Sequence, residues 1–172
     1  MMKHVSLVLL TVLTPLVFFS HFSWSTTENG VLFNLDGRDL DLSGMVKEKW
    51  RRATNTCSSV NRLSISDARH ESIKRLIQAY SPPDSQFIET LHIWTQGDWA
   101  VAEVEFKHLL PAVVTLKNIE QNAEIVDDAI WSGLTHPWTA GPLIRSYLHK
   151  SQTPAPKMLL DCFELQTKSF QS

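Results

Sequence analysis

The sequence predicts an α+β fold in which one amphipathic helix packs on a four-stranded antiparallel meander, followed by short C-terminal helices. Three observations lead to this prediction. Residues 64–80 carry apolar side chains at helical spacing, residues 87–106 have the pattern of a β-hairpin, and residues 112–131 repeat the strand pattern. Strands joined by short connections are antiparallel, because parallel neighbours need a long crossover.

The chain before the predicted helix is expected to be extended or loop-like, because Asn, Asp and Gly recur between residues 26 and 42. Its acidic residues, Asp36, Asp39 and Asp41, do not follow the order of a calcium-binding loop. We interpret them as solvated turn residues. Ser43 is expected to cap a short helix that follows.

The main helix is predicted over residues 64–80. Ser64 or Ser66 offers an N-cap, and Pro82-Pro83 ends the segment. Its apolar positions follow a spacing of three and four residues, at Ile73, Leu76, Ile77 and Tyr80. A helix with one apolar face must pack against another element, and the next segment supplies that surface.

The hairpin of residues 87–106 is predicted to turn at Gly97-Asp98. With these residues as the loop, Leu91 faces Val104 and Ile93 faces Ala102, which gives one wholly apolar face for the helix. The opposite face is mixed aromatic and acidic, and it carries the pairs Thr90 with Glu105, His92 with Glu103, and Trp94 with Val101.

Two further strands, 112–119 and 124–131, complete the predicted meander. A short helix is expected over 142–150, since Pro is well placed in a first helical turn. A last helical turn is expected over 158–163.

The N-terminus has the order of a secretory signal peptide: Lys3, an apolar run over residues 5–19, and small residues at Ser23 and Ser25. We expect residues 1–25 to be the signal peptide and residues 26–172 to form a single domain of about 147 residues. The alternative is an uncleaved anchor that extends to Trp24. With cleavage, no stable membrane insertion is expected.

The chain carries a formal net charge of −2, which gives no electrostatic footprint for nucleic acid. Its basic cluster consists of Lys47, Lys49, Arg51 and Arg52, around Glu48 and Trp50. A solvated helix face is one interpretation, and a patch for a membrane or an acidic partner is the other.

Cys57 and Cys162 are the two cysteines of the chain. An oxidising compartment favours their pairing, which would close a loop of about 105 residues. Two buried free thiols are the alternative. A metal site is not expected, because no histidine stands at ligand spacing beside either cysteine.

Two places could hold a functional site. On the polar face of the hairpin, Glu103 could orient the His92 imidazole for acid–base chemistry, or both could join Trp94 and Trp99 in a recognition surface. The second place is the corner after the last strand, where a strand end and a helix start could present donors to an anion. Its candidate residues are Trp131, His136, Trp138 and Arg145.

The order of these elements resembles the cystatin/NTF2-like type of α+β fold, in which a curved sheet wraps a helix. The resemblance rests on the helix of 64–80, the hairpin around Gly97-Asp98 and the strand segment Ala129-Ile130-Trp131. The stretch from Ile130 to Arg145 also resembles a signature of small exported bacterial proteins. Enzymes of the NTF2-like type use an Asp or His in the pocket, and neither maps onto this sequence.

The sequence therefore predicts a periplasmic or secreted domain that binds a protein or a small molecule without catalysis and without a cofactor. The alternative is a small hydrolase or isomerase whose acid–base group is His92 or His136.

Overall fold

The computed structural model describes residues 22–80, 83–151 and 153–170, which form an α+β domain with two antiparallel sheets. The first sheet contains β1 (Phe22–Thr27), β2 (Gly30–Leu35) and β3 (Arg38–Leu40). The second contains β4 (Asn61–Arg62), β5 (Ile88–Gln96), β6 (Trp99–Phe106), β7 (Ala112–Lys117) and β8 (Glu124–Ser132), in that spatial order. The described helices are α1 (Leu42–Thr54), α2 (Ala68–Tyr80), α3 (Ala140–Lys150) and α4 (Lys157–Cys162).

The larger sheet is a meander with five strands instead of the four predicted. The additional strand, β4, pairs with residues 94 and 95 of β5. Its two residues are both exposed, so no alternation of apolar and polar side chains marked it in the sequence.

The segment before α1 is extended, as expected, but it forms paired strands instead of a loop. Two hairpin connections build the first sheet, since Thr27 pairs with Gly30 and Leu35 pairs with Arg38. Asp36 and Gly37, between the second pair, have φ values of 52° and 80°. Positive φ at both central residues is the geometry of a tight hairpin turn.

Residues 1–21 of the expected signal peptide lie outside the described residues. The expected cleavage position after Ser25 falls within β1, where Ser25 pairs with Leu32 of β2.

The predicted register of the β5–β6 hairpin is confirmed. Leu91 pairs with Val104 and Ile93 pairs with Ala102, around a turn in which Gly97 has a φ of 56°. The apolar face packs against Ile73 and Ile77 of α2, both almost fully buried. The first core therefore lies between α2 and this face, as the pattern predicted.

Helix α2 begins at Ala68, later than the expected caps at Ser64 or Ser66. The Asp67 carboxylate accepts a hydrogen bond of 2.9 Å from the backbone N–H of Arg69, which supplies the missing acceptor at this end.

The opposite face of the larger sheet is covered by α3, α4 and the C-terminal segment, where the sequence predicted an open mixed face. Ile144, Leu148, Leu160 and Phe163 form a second core with the aromatic and apolar side chains of this face. Apolar residues of the C-terminal third bury their side chains against the sheet face that α2 leaves open.

The sulfur atoms of Cys57 and Cys162 are 2.01 Å apart, the distance of a disulfide bond. Among the described residues, no helix is both long and apolar enough to cross a membrane.

Candidate functional site

Helix α1 is amphipathic, but its apolar face points into solvent. Leu42 and Met45 are each 47% exposed, Val46 is 65% exposed and Trp50 is 70% exposed. These positions recur at intervals of three and four residues, so they form one stripe along the helix. We call them the α1 stripe. A helix in a soluble domain ordinarily buries such a stripe, so its exposure requires an explanation.

The side of α1 that faces the domain is polar. Gly44 is its buried residue, and a Cβ added there would overlap the carboxylate of Asp41 and lie 2.9 Å from the Cβ of Thr139. Farther along the same side, Arg51 donates a hydrogen bond of 3.2 Å to the carbonyl of Asp161. At these positions the contact of α1 with α3 and the C-terminal segment is close and made of polar groups.

Asp41 caps α1, in place of the expected Ser43. Its carboxylate accepts hydrogen bonds from the backbone N–H of Gly44, at 2.8 Å, and of Thr139, at 3.0 Å. Burial alone would raise the pKa of Asp41, but these bonds outweigh it and lower the pKa. The residue is buried, so its interpretation as a solvated turn residue was wrong.

A partly buried ion-pair network joins α1 to α3 and the C-terminal segment. Glu48 pairs with Arg145 of α3, and with Arg51 at 2.7 Å. Arg51 also pairs with Glu164 at 2.6 Å. Burial alone would raise the pKa of Glu48, but the hydrogen bond from Arg51 and the charges of Arg145 and Arg51 lower it to about 2. The network keeps its carboxylate ionised against the domain.

An open groove of about 730 Å³ runs beside the α1 stripe and shares Val46 and Trp50 with it. Its other lining residues are Lys47, Arg51, Thr54, Asn55, His149, Lys157 and Asp161. The Asp161 carboxylate lies 2.8 Å from Nε2 of His149. The groove therefore combines an aromatic wall with cations, and its one acidic side chain already has a partner.

His92 and Glu103 lie opposite each other in the register, as predicted, but they do not form an acid–base pair. The Glu103 carboxylate is fully buried and accepts hydrogen bonds from the backbone N–H groups of Gln166 and Thr167, at 2.8 and 2.9 Å. Burial raises the pKa of Glu103, and this effect exceeds that of the bonds.

The His92 imidazole is engaged elsewhere. Its Nδ1 accepts a hydrogen bond of 2.6 Å from Arg62 on the neighbouring strand β4. Burial, with a smaller contribution from the Arg62 charge, lowers the pKa of His92. The Glu103 carboxylate therefore fixes the C-terminal segment, while the His92 imidazole accepts a hydrogen bond from the Arg62 side chain.

Trp94 and Trp99 do not form an open recognition surface. Trp94 is buried in the second core with its ring against Phe163, at 6.3 Å between centroids. Trp99 is half-buried and packs on the same core. Their aromatic surface stabilises the fold.

The four residues of the second predicted site do not come together, because each contacts a different part of the domain. Trp131 contacts the Tyr147 ring at 5.2 Å, and His136 is exposed in a turn. Trp138 packs under the β1–β2 turn, where a Cβ on Gly30 would lie 3.6 Å from its ring. Arg145 is buried and donates to the carbonyl of Phe163 at 2.9 Å. Arg145 is thus engaged in a structural contact, so it does not present its charge to an anion at this corner.

The α1 stripe is the feature that sequence reasoning did not select. Its spacing was visible, and so was the basic cluster around Trp50. The sequence does not show which side of a helix faces the domain, so the exposure of the apolar side required the structure.

Within residues 22–80, 83–151 and 153–170, no group of three or more His, Cys, Asp or Glu side chains is placed to hold a metal ion. A second cavity, of about 300 Å³, opens between α2 and strands β7 and β8 and is lined almost wholly by apolar side chains.

Comparison with known proteins found no protein-family model, no curated protein and no solved structure that matches this chain.

Proposed function

We propose that this protein is a non-enzymatic binding domain whose contact surface is the α1 stripe together with the adjoining groove. The observation that carries the proposal is the orientation of α1, with its charged side against the domain and its apolar side in solvent. Exposing several large apolar side chains side by side is unfavourable in water, and such patches mark surfaces that a partner covers.

The attachment of α1 supports this proposal. Two contacts fix the helix. Asp41 accepts a hydrogen bond from the backbone of Thr139, directly before α3, and Glu48 pairs with Arg145 of α3. A helix held through its polar side presents the α1 stripe in one orientation, so little conformational entropy is lost when a partner binds.

Site-specific photo-crosslinking in the exporting host tests the proposal. A benzophenone side chain at position 46 is expected to yield, on irradiation, a covalent adduct with the partner, whether that partner is a protein or a lipid. The matched control is position 65, where Ile65 is 81% exposed but lies outside the α1 stripe. If positions 45, 46 and 50 all give no adduct, or if position 65 gives the same adduct, the proposed surface is wrong.

A second candidate function, a small hydrolase or isomerase, is favoured by the contact between His149 and Asp161. A carboxylate that orients an imidazole at the edge of a groove is the arrangement that general acid–base catalysis uses. In this alternative the acid–base group is His149, in place of His92 or His136. Hydrolysis of p-nitrophenyl acetate, lost in His149→Gln with an unchanged melting temperature, would support it; a rate equal to the buffer rate would contradict it.

We also propose that the chain is exported to the periplasm or secreted and that its fold is of the cystatin/NTF2-like type. The sulfur–sulfur distance of Cys57 and Cys162 supports the first, and the packing of α2 on an antiparallel meander supports the second. The intact mass of protein recovered from the exporting host tests cleavage after Ser25.

A further inference from the structure

We propose that the partner of the α1 stripe is the surface of an anionic lipid bilayer, on which α1 lies parallel to the membrane plane. This inference rests on the binding function proposed above. It concerns peripheral association, in which the helix enters the boundary between headgroups and acyl chains without crossing the membrane.

The shape and composition of α1 fit this role. The helix has 13 residues and is therefore about 20 Å long. Its stripe ends in Trp50, whose ring combines a large apolar surface with a polar N–H, a combination favoured at the boundary between lipid and water. The stripe projects from the domain surface, so a fluid bilayer can take up its side chains without a preformed pocket.

Cations accompany the stripe and select the charge of the bilayer: Lys47 borders the stripe, and Lys49 falls within it, four residues after Met45. Lys47 and Lys49 lie on α1, and Lys157 lies across the groove from it. All three are exposed, and none forms an ion pair with another described residue. Their long side chains can reach lipid phosphates while the apolar residues beside them enter the hydrocarbon boundary.

The charge distribution favours a lipid surface approached from this side. The whole chain has a formal net charge of −2, so its attraction to an anionic surface must be local. Asp161, the acid that lines the groove, contacts His149 and is outnumbered there by Lys47 and Lys157. The local cations would therefore turn α1 towards an anionic membrane and the rest of the domain away from it.

Apolar side chains of the first sheet are also exposed. Trp24 is 74% exposed on β1, and Val31 is about half exposed on β2. The pairing of Trp24 with Phe33 and of Thr26 with Val31 places Trp24 and Val31 on the same sheet face. Trp24 lies within the expected signal peptide of residues 1–25, so cleavage after Ser25 would remove it and leave Val31 on this face of the domain.

Co-sedimentation with lipid vesicles tests the inference. The protein is expected to pellet with vesicles of phosphatidylcholine and phosphatidylglycerol in equal parts, much less with phosphatidylcholine alone, and less at high salt. Lys47→Gln with Lys49→Gln should lower the partition coefficient about 25-fold. Val46→Ser with Trp50→Ser should lower it at least about tenfold.

Matched controls remove the same chemistry elsewhere. Lys74→Gln with Lys107→Gln removes two lysines that do not line the groove, Lys74 being on α2 across the larger sheet from α3, and Ile65→Ser removes an exposed apolar side chain. These controls should bind as the unchanged protein does. Circular dichroism and the melting temperature of each variant establish that it is folded.

The following outcomes would contradict the proposal of an anionic lipid partner. Equal binding to both vesicle types, or equal losses in the control variants, excludes anionic recognition by α1. If position 46 gives a protein adduct and the protein does not bind vesicles, the proposal of a lipid partner is wrong and the proposed binding function stands. Absence of both vesicle binding and any adduct overturns both.

Discussion

Glu48 holds α1 against α3 through Arg145 and also pairs with Arg51 of its own helix, and its replacement by Gln provides a quantitative test of that contact. Gln has the same size and keeps one acceptor oxygen, but it removes the negative charge between Arg51 and Arg145. The Arg145 side chain is 7% exposed, so its positive charge would be left almost out of reach of water. Removing one partner of a buried ion pair is costly for this reason.

The pKa of Glu48 gives the magnitude of the effect. A fall from 4.5 to about 2 in the folded protein corresponds to about 3 kcal/mol of stability at neutral pH. Because the folded pKa is lowered, this contribution is present above pH 4.5 and is lost as the pH falls towards 2. The free energies of unfolding of the wild type and Glu48→Gln should therefore differ by about 3 kcal/mol at pH 7 and converge in acid.

Urea unfolding followed by circular dichroism, repeated over this pH range, measures that difference. Burial of Glu103 has the opposite sign, since a raised pKa removes stability as the pH rises, but it is common to both proteins and cancels. Glu71→Gln is the control, because Glu71 is exposed and pairs with Arg75 at 3.5 Å; it should change stability by less than about 1 kcal/mol. If the free energies of unfolding of the wild type and Glu48→Gln differ by the same amount at every pH, the reasoning is wrong.

Three further predictions concern stability. Glu103→Ala should lower the free energy of unfolding by about 3–5 kcal/mol in urea, because buried donors lose their acceptor, and Glu103→Gln should cost less; equal losses would contradict this. Replacing Cys57 and Cys162 by Ser should cost about 4–5 kcal/mol, and an unchanged melting temperature after reduction to titratable thiols would exclude a stabilising disulfide. Gly44→Ala should cost about 1–3 kcal/mol through the overlap with Asp41, and a melting temperature equal to that of the wild type would show that α1 shifts freely.

The parts of the fold that local patterns specify were predictable from the sequence. The Gly97-Asp98 turn and the alternation on both sides of it determined the register of β5 and β6 from Thr90 to Gln96, beyond which a bulge shifts the pairing of Ile88. The apolar spacing of Ile73 and Ile77 predicted which side of α2 is buried and the sheet face that receives it. In both cases one side of the element is apolar and the other is polar.

The burial of the second sheet face depends on contacts between distant residues. Glu103 is polar, so its face looked solvated, but its hydrogen-bond donors are 63 and 64 residues away in sequence. The first sheet was missed for another reason. Its Asp36-Gly37 turn was visible, but Val31, Leu32 and Phe33 are consecutive apolar residues, so no alternation indicated a strand.

The two candidate sites show the same limit. Trp94 and Arg145 were selected because their chemistry is common in binding sites, and both are buried in structural contacts. The α1 stripe has an ordinary amphipathic spacing, which predicts a helix but not the side that faces the domain. That side is determined by Glu48, whose partner Arg145 is 97 residues away in sequence.

The polar attachment of α1 has a consequence for how the domain opens. The urea dependence and the heat-capacity change of an opening reaction both scale with the surface that it exposes. Release of α1 alone exposes little apolar surface, so both quantities should be small for it. In hydrogen exchange, the α1 amides should therefore open with a free energy that hardly depends on urea, while those of β6 follow the global slope. Hydrophobic burial weakens on cooling and the Glu48 contacts weaken in acid. Cold should thus loosen the two cores first, whereas acid should release α1 first.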